Sequence, residues 1–311
     1  MVWNFDGQIL IQGVDQPKAL SYLKEFNLDN RDIIAGIPDR YIDEKIENIS
    51  VFDLVTEAMD TYPEIKTTII FSHPYNVLDA GLEAIESGIK QIIINTENIP
   101  PLDLLKLWQK AEDKQVKILG TSQAGILIPE KICWGVNNAS LYRSGNVGII
   151  NYGDSIISSE FALFLQKKDL GESIVINLGN NKFIDIDWDF WLQILAENEL
   201  TEIILINISD CSNIDQEKFI SALNKIEHKL IVVYLLDPNN LKFMIQNNSA
   251  KIITDQIPEY LNRVLSATYF REYLEKKDIT VTQQYQEIIP LILKSKKRSS
   301  LDFSLNKNLQ S

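Results

Sequence analysis

Short runs of Ile, Leu and Val alternate along the chain with longer segments whose apolar positions recur every three or four residues. The runs at 8–12, 32–37, 67–72, 91–95 and 117–120 are short, apolar and rich in β-branched residues, which predicts buried strands. The intervening segments at 17–26, 51–62, 77–88 and 101–114 predict amphipathic helices. The third closes on Gly88, a residue type suited to the left-handed turn just past a helix C-terminus. Such alternation implies a parallel sheet covered by helices on both faces.

A stretch without periodicity follows at 121–145, with Pro129, Asn137-Asn138 and Arg143-Ser144-Gly145, and a domain boundary is placed at its end. The alternation then restarts, with strands predicted at 147–151, 173–178, 202–208, 230–235 and 251–253 and helices at 155–168, 187–198, 215–225 and 257–276. The expected fold class is α/β, two doubly wound modules in tandem without a sequence repeat between them. They are expected over residues 1–143 and 144–278, with a C-terminal extension at 279–311.

Composition narrows the setting. A chain of 311 residues is long enough for two separate cores. A net charge of −13 argues against nucleic acid or an anionic membrane as the main partner. Cys133 and Cys211 form neither a disulfide framework nor a zinc spacing, so inert thiols in a reducing, cytoplasmic compartment and no metal site are expected. Residues 1–12 carry no basic region leading into an apolar stretch, and no apolar run approaches the roughly 18 residues that span a bilayer. Residues 291–311 differ: Lys294, Lys296, Lys297, Arg298 and Lys307 oppose only Asp302. Either a solvated tail or a segment docking on an acidic partner or surface fits that run.

Glycine is scarce, 13 where average usage gives roughly 22. That matters because ligands of parallel α/β sheets bind at the carboxyl ends of strands, where glycine-rich turns and helix N-termini offer backbone amides. The first such turn is Gly13-Val14-Asp15-Gln16-Pro17-Lys18-Ala19. Gly13 suits the tight turn, and Pro17 suits the first turn of a helix. In a G-x-x-G-x-x-G loop the later glycines fall at Gln16 and Ala19; Gln16 leaves less room for a diphosphate, Asp15 opposes an anion and Lys18 favours one. A helix cap without a ligand and a phosphate site fit these residues equally well.

The order of segments resembles the α subunit of succinyl-CoA synthetase. Asn95-Thr96-Glu97-Asn98-Ile99-Pro100 followed by Asp103 resembles its T-E-G-I-P…D stretch. The likeness continues through Ala84-Ile-Glu-Ser-Gly-Ile-Lys90 upstream, Gly120, Gly125 and Pro129 downstream, and Gly145-Asn-Val-Gly-Ile149, covering residues 2–277. It implies an N-terminal Rossmann-like module of the CoA-binding type and a C-terminal flavodoxin-like module of the ligase type. In the family the second module carries a phosphorylated histidine, and a β subunit supplies an ATP-grasp domain.

The residues implied to carry phosphate are missing. The family's G-H-A-G turn corresponds to Asn247-Asn248-Ser249-Ala250, so Asn248, which has no nucleophilic imidazole, stands at the histidine position. The orienting glutamate of E-I-G-G corresponds to Asn207 in Asn207-Ile208-Ser209-Asp210. The P-N-C-x-G loop becomes Thr121-Ser122-Gln123-Ala124-Gly125, and the S-G-T helix start becomes Gly153-Asp154-Ser155, where Asp154 fits a helix N-cap. No catalytic residue is therefore assigned.

The coenzyme side is less altered. The resemblance implies Gly13, Lys18, Arg40, Pro74, Thr96, Glu97 and Ile99 as cofactor-binding positions, with CoA or a nucleotide as the cofactor left open. Arg40 replaces a lysine in a loop that has lost its glycines, 38–43, where Tyr41 fits equally well as a pocket filler. Gln16, Tyr41 and Asp15 are the side chains placed to occupy the diphosphate space. His73 matches a position lining the coenzyme pocket, and His228 fits a solvated loop. Trp188 and Trp191 share a helix face, which with Phe190 predicts core and interface packing.

Two function classes follow. The first is a catalytically inactive homologue acting as a binding, scaffold or regulatory protein that keeps weak CoA or nucleotide binding. The second is a divergent NDP-forming acyl-CoA synthetase α-type subunit working with an ATP-grasp β subunit. A protein partner is expected in either case, that β-type subunit or an unrelated protein held through the segment from Lys294 to Arg298, in a homo- or hetero-oligomer.

Overall fold

The computed structural model describes residues 3–26, 33–40, 46, 49–136, 139–167, 169–180, 183, 185–210, 214–226, 228–235 and 250–253. Asn247, Asn248, Tyr41, Asp43, Cys211, the helix expected at 257–276 and the segment 279–311 lie outside the described residues.

The first sheet takes β1 (Gln8–Gln12), β2 (Ile33–Ile37), β3 (Ser50–Val51), β4 (Ile65–Ile70), β5 (Gln91–Ile94) and β6 (Lys117–Gly120). All six run parallel in the order β3-β2-β1-β4-β5-β6. Helices α1 (Pro17–Phe26), α2 (Val55–Thr61), α3 (Val77–Glu86) and α4 (Pro101–Asp113) are the crossovers. Every residue of β5 and all of β4 except Lys66 are buried, as expected of parallel strands covered by helices on both faces. The helix expected from residue 51 starts at Val55 instead. Val51 pairs with Gly36 and the Phe52 N–H donates to the Gly36 carbonyl at 3.0 Å, so these residues extend the sheet.

The second sheet contains β7 (Gly125–Ile128), β8 (Ile132–Trp134), β9 (Ser144–Tyr152), β10 (Glu172–Gly179), β11 (Ile203–Ile208), β12 (Leu230–Leu235) and β13 (Ala250–Ile253), in the order β13-β12-β11-β9-β10-β7-β8. Its parallel part, with α5 (Ser155–Gln166), α6 (Trp188–Glu197) and α7 (Gln216–Asn224), has the flavodoxin-like order in which the first strand lies inside the second. The α/β class with two doubly wound sheets is thus present, with one difference from a purely parallel pattern. Strands β7 and β8 form an antiparallel hairpin on the β10 edge. They come from the stretch that shows no periodicity, since runs of four and three residues are too short to display any. The chain therefore enters the second sheet at Gly125, upstream of residue 143.

One apolar cluster joins the two sheets. Trp3, Ile9, Ile11 and Tyr22 pack in the same cluster as Ile126, Trp134, Ile150 and Trp191. The rings of Trp3 and Trp191 lie 5.2 Å apart, and Trp188 lies 4.6 Å from Phe219, which places the aromatic pair of α6 in core packing. Polar ties reinforce the join. The Tyr22 hydroxyl donates to the Cys133 carbonyl at 2.5 Å and accepts from the Gly135 N–H at 3.2 Å. The Asn95 amide, fully buried, donates to the carbonyls of Ala124 and Gly135 at 2.7 and 2.8 Å. An Asn95 left without those acceptors would cost about 1–3 kcal/mol, so the pair of bonds fixes the end of β5 against the hairpin.

Candidate functional site: the strand ends of the first sheet

The order of the first sheet reverses between β1 and β4, and the crevice at that switch point is where doubly wound sheets bind ligands. Four loops converge on it, after β1, β2, β4 and β5. Gly13 opens the first with φ +72°, and a Cβ there would lie 2.4 Å from the Ser72 backbone nitrogen. Only glycine lets the β1 and β4 loops approach so closely. The N–H groups of Gly13 and Val14 both donate to the Ile37 carbonyl, at 2.8 and 3.1 Å, tying the loop to the end of β2.

Asp39 closes the crevice. It follows β2, yet one carboxylate oxygen accepts the backbone N–H of His73, after β4, at 2.6 Å. The same oxygen accepts from the Gln16 amide, after β1, at 3.0 Å. The Asp39 N–H in turn donates to the Asp15 carboxylate at 2.6 Å. Gln16 and Asp15, expected as fillers of the diphosphate space, act as supports for Asp39. Asp39 itself is the group lying across the crevice, and a sequence gives no sign of it because its partners are 23 and 34 residues away.

The other expected positions divide into framework and rim. The Thr96 hydroxyl is buried and donates to the Ser72 carbonyl at 2.9 Å, so it joins two loops. Ile99 is buried in the core beneath. The Lys18 ammonium donates to the Asn95 carbonyl at 2.7 Å and lies 3.9 Å from the Glu97 carboxylate. Burial holds its pKa below the usual lysine value, with Glu97 partly opposing that shift. Pro74 is half-buried in the turn leading to α3, and Arg40 is exposed beside Asp39. His73 is exposed at the rim with its ring 5.6 Å from that of Tyr75, which is 73% exposed. Gly13 thus sets the close approach of two loops, Thr96 and Lys18 tie loops together, and Arg40, Pro74 and Glu97 lie in the turns after β2, β4 and β5.

The second module has a corresponding place at the N-terminus of α5. Asp154 caps the helix by accepting from the Ile156 N–H at 2.9 Å, as its position before the helix predicts. The Gln123 amide oxygen accepts from the Ser155 N–H at 3.3 Å and also from the Ser155 hydroxyl. Beneath, Asn177, Asn151 and Asn207 stand in register on β10, β9 and β11. The Asn151 amide donates to Asn177 at 3.3 Å, and Asn207 donates to Asn151 at 2.5 Å. Asn207 is thus committed to a buried asparagine ladder. His228 is exposed before β12, and Cys133 is buried with its sulfur 3.3 Å from the Val136 carbonyl.

A groove of about 920 Å³ lies away from the crevice, along β6 and α4, lined by residues such as Leu105, Trp108, Phe183 and Phe190. Its Lys117 ammonium pairs with Asp187 at 2.9 Å and sits 4.2 Å from the Phe190 ring centre. Among the described residues no group of His, Cys, Asp and Glu is arranged to hold a metal ion, and no helix is long and apolar enough to cross a membrane.

The switch-point crevice and its loops belong to a doubly wound α/β module, of which residues 4–98 match the family model described as the CoA binding domain. Over a longer span the chain is distantly similar to succinate–CoA ligase (ADP-forming) α subunits. It is 25% identical to subunit alpha 2 of Archaeoglobus fulgidus over 221 residues, 70% of this chain and 76% of that one. It is 23% identical to the Aquifex aeolicus α subunit, covering 75% and 76%. Among solved structures, the dinucleotide-forming acetyl-coenzyme A synthetase 1 of Ca. Korarchaeum cryptofilum shares the fold with a TM-score of 0.65 at 14% identity, over 80% of this chain. The ATP citrate lyase of Methanothrix soehngenii does so with a TM-score of 0.64 at 14% identity, over 90% of this chain. This chain spans 58% and 52% of those two proteins.

Proposed function

We propose that this chain is a non-catalytic relative of the acyl-CoA synthetase α subunits, serving as a binding, scaffold or regulatory protein with weak affinity for CoA or a nucleotide. The observation that carries this reading is that the protein's own side chains occupy both anion-binding places. Asp39 spans the crevice of the first module, and Gln123 with Asp154 caps α5 in the second. Asn248 at the position of the family's histidine and Asn207 at that of its glutamate add to it. The CoA-binding match over residues 4–98 supports CoA as the ligand of the first module. The resemblance to the ligase α subunits points to a protein partner, an ATP-grasp β-type subunit or another protein docking on the segment from Lys294 to Arg298, in the cytoplasm.

The test is a ligase assay with purified chain, an ATP-grasp β subunit, CoA, ATP and succinate or acetate. No acyl-CoA above the β subunit alone is expected, whereas turnover requiring this chain would establish the divergent-synthetase alternative. Calorimetry with CoA, expected to give weak binding, tests the ligand separately.

A further inference from the structure

We propose that Asp39 is a specificity-determining residue of the crevice: its carboxylate stands as a resident anion at the switch point and discriminates against phosphate-bearing ligands. The inference rests on the reading of that crevice as a coenzyme site.

Three observations carry it. The carboxylate lies between the β1, β2 and β4 loops, held by the His73 N–H and the Gln16 amide through one oxygen. While Asp39 holds that N–H and that amide, an incoming phosphoryl group cannot use them. A second carboxylate, Asp15, is bound to the Asp39 N–H at 2.6 Å, so two negative charges share the mouth. The nearby ammonium that could offset them, Lys18, points instead to the Asn95 carbonyl and Glu97. Arg40, next to Asp39 in the chain, is exposed, where its field is screened.

Like charges a few ångströms apart repel strongly in a partly buried setting, so the diphosphate of CoA or ADP must displace the Asp39 carboxylate or bind against it. A nucleoside without phosphate meets neither obstacle. Asp39 thereby ranks the ligands of the site: neutral adenosine is unaffected, and CoA and ADP are weakened.

Calorimetry of the full chain with CoA, ADP and adenosine, for wild type and Asp39→Asn, tests this. The substitution keeps the side chain's shape and one acceptor oxygen but removes the charge. CoA and ADP are expected to bind about tenfold or more tighter to Asp39→Asn, with adenosine unchanged. Equal affinities in the two proteins, or adenosine tightening as much as CoA, overturn the inference. Gln16→Ala, which frees the carboxylate from one donor and keeps its charge, is the second variant and stands in if Asp39→Asn melts below the assay temperature. A gain for CoA smaller than tenfold is expected there, and no gain, or one matching Asp39→Asn, places the effect elsewhere. CoA binding to wild type that Asp39→Asn leaves unchanged removes the inference alone. No CoA binding to any of the three proteins removes the coenzyme reading with it.

Discussion

Gln123 and Ser155 are joined across 32 residues: the amide oxygen of Gln123 accepts both the backbone N–H and the hydroxyl of Ser155. A helix N-terminus is the natural seat of an anion because its first N–H groups lack intrahelical partners. In α5 that seat is taken by a neutral amide from the loop between β6 and β7 together with the Asp154 carboxylate. Gln123→Ala is expected to lower stability by about 1 kcal/mol, as for a lost helix cap, measured as a shift of the urea midpoint. An unchanged midpoint would show the Gln123 bond to be incidental.

Glu172 carries the clearest pH signature. It is 1% exposed at the start of β10, one of its oxygens accepts the Arg143 N–H at 3.0 Å, and the other has no partner among the described residues. Burial pushes its pKa up to about 7. The folded chain then holds a proton between pH 4.5 and about 7 that the unfolded chain releases, so this contribution is complete below pH 4.5 and is lost as pH rises through 7. Glu172→Gln is expected to flatten that slope and to stabilise the protein at pH 8 by about 3 kcal/mol. Urea unfolding at pH 5 and pH 8 checks it, and parallel slopes in the two proteins would count against the assignment.

The asparagine ladder tests polar satisfaction in the core. Asn151 bonds to Asn177, Asn207 and the Asp154 carbonyl, while the side-chain oxygen of Asn207 already lacks a partner among the described residues. Asn151→Leu leaves Asn177 and Asn207 short of partners and is expected to cost about 2–4 kcal/mol, because orphaned buried groups lose their full hydration. Replacing Asn151, Asn177 and Asn207 together by apolar residues should cost less than the single change. A triple variant weaker than the single one would refute this account.

Gly13 allows a simple test of the crevice. Its φ is positive, and a Cβ added there would come within 2.4 Å of backbone, with no flexible side chain to yield. Gly13→Ala is expected to cost at least about 2 kcal/mol, from strain and from pushing the β1 and β4 loops apart. A thermal melt within a degree of wild type would mean that the loops separate freely.

Much of the frame was legible because its signals are local. Apolar runs of four to six residues and helices of ten or more residues showed their period directly, and Asp154 sits where an N-cap belongs. Gln16, Asn207 and Asn248 differ in type from the residues that the resemblance implies at those positions, and the amino-acid order shows this directly. The β7–β8 hairpin was not visible, because segments of four and three residues acquire strand geometry only by pairing with β10. Thr96 and Lys18 stand among the positions expected to touch a cofactor, yet their polar atoms are bound to the backbone carbonyls of Ser72 and Asn95.

By itself, then, the amino-acid order determines that the chain is α/β, where most strands and helices run, and how little glycine its strand-end turns hold. Those are properties of residue type and period, which act over a few neighbouring positions. Only the tertiary structure decides which side chains stand together at the strand ends. Asp39 reaches His73 across 34 residues and Gln123 reaches Ser155 across 32, because parallel strands bring the loops at their carboxyl ends together. Which oxygen faces which N–H there is set by strand order and loop packing.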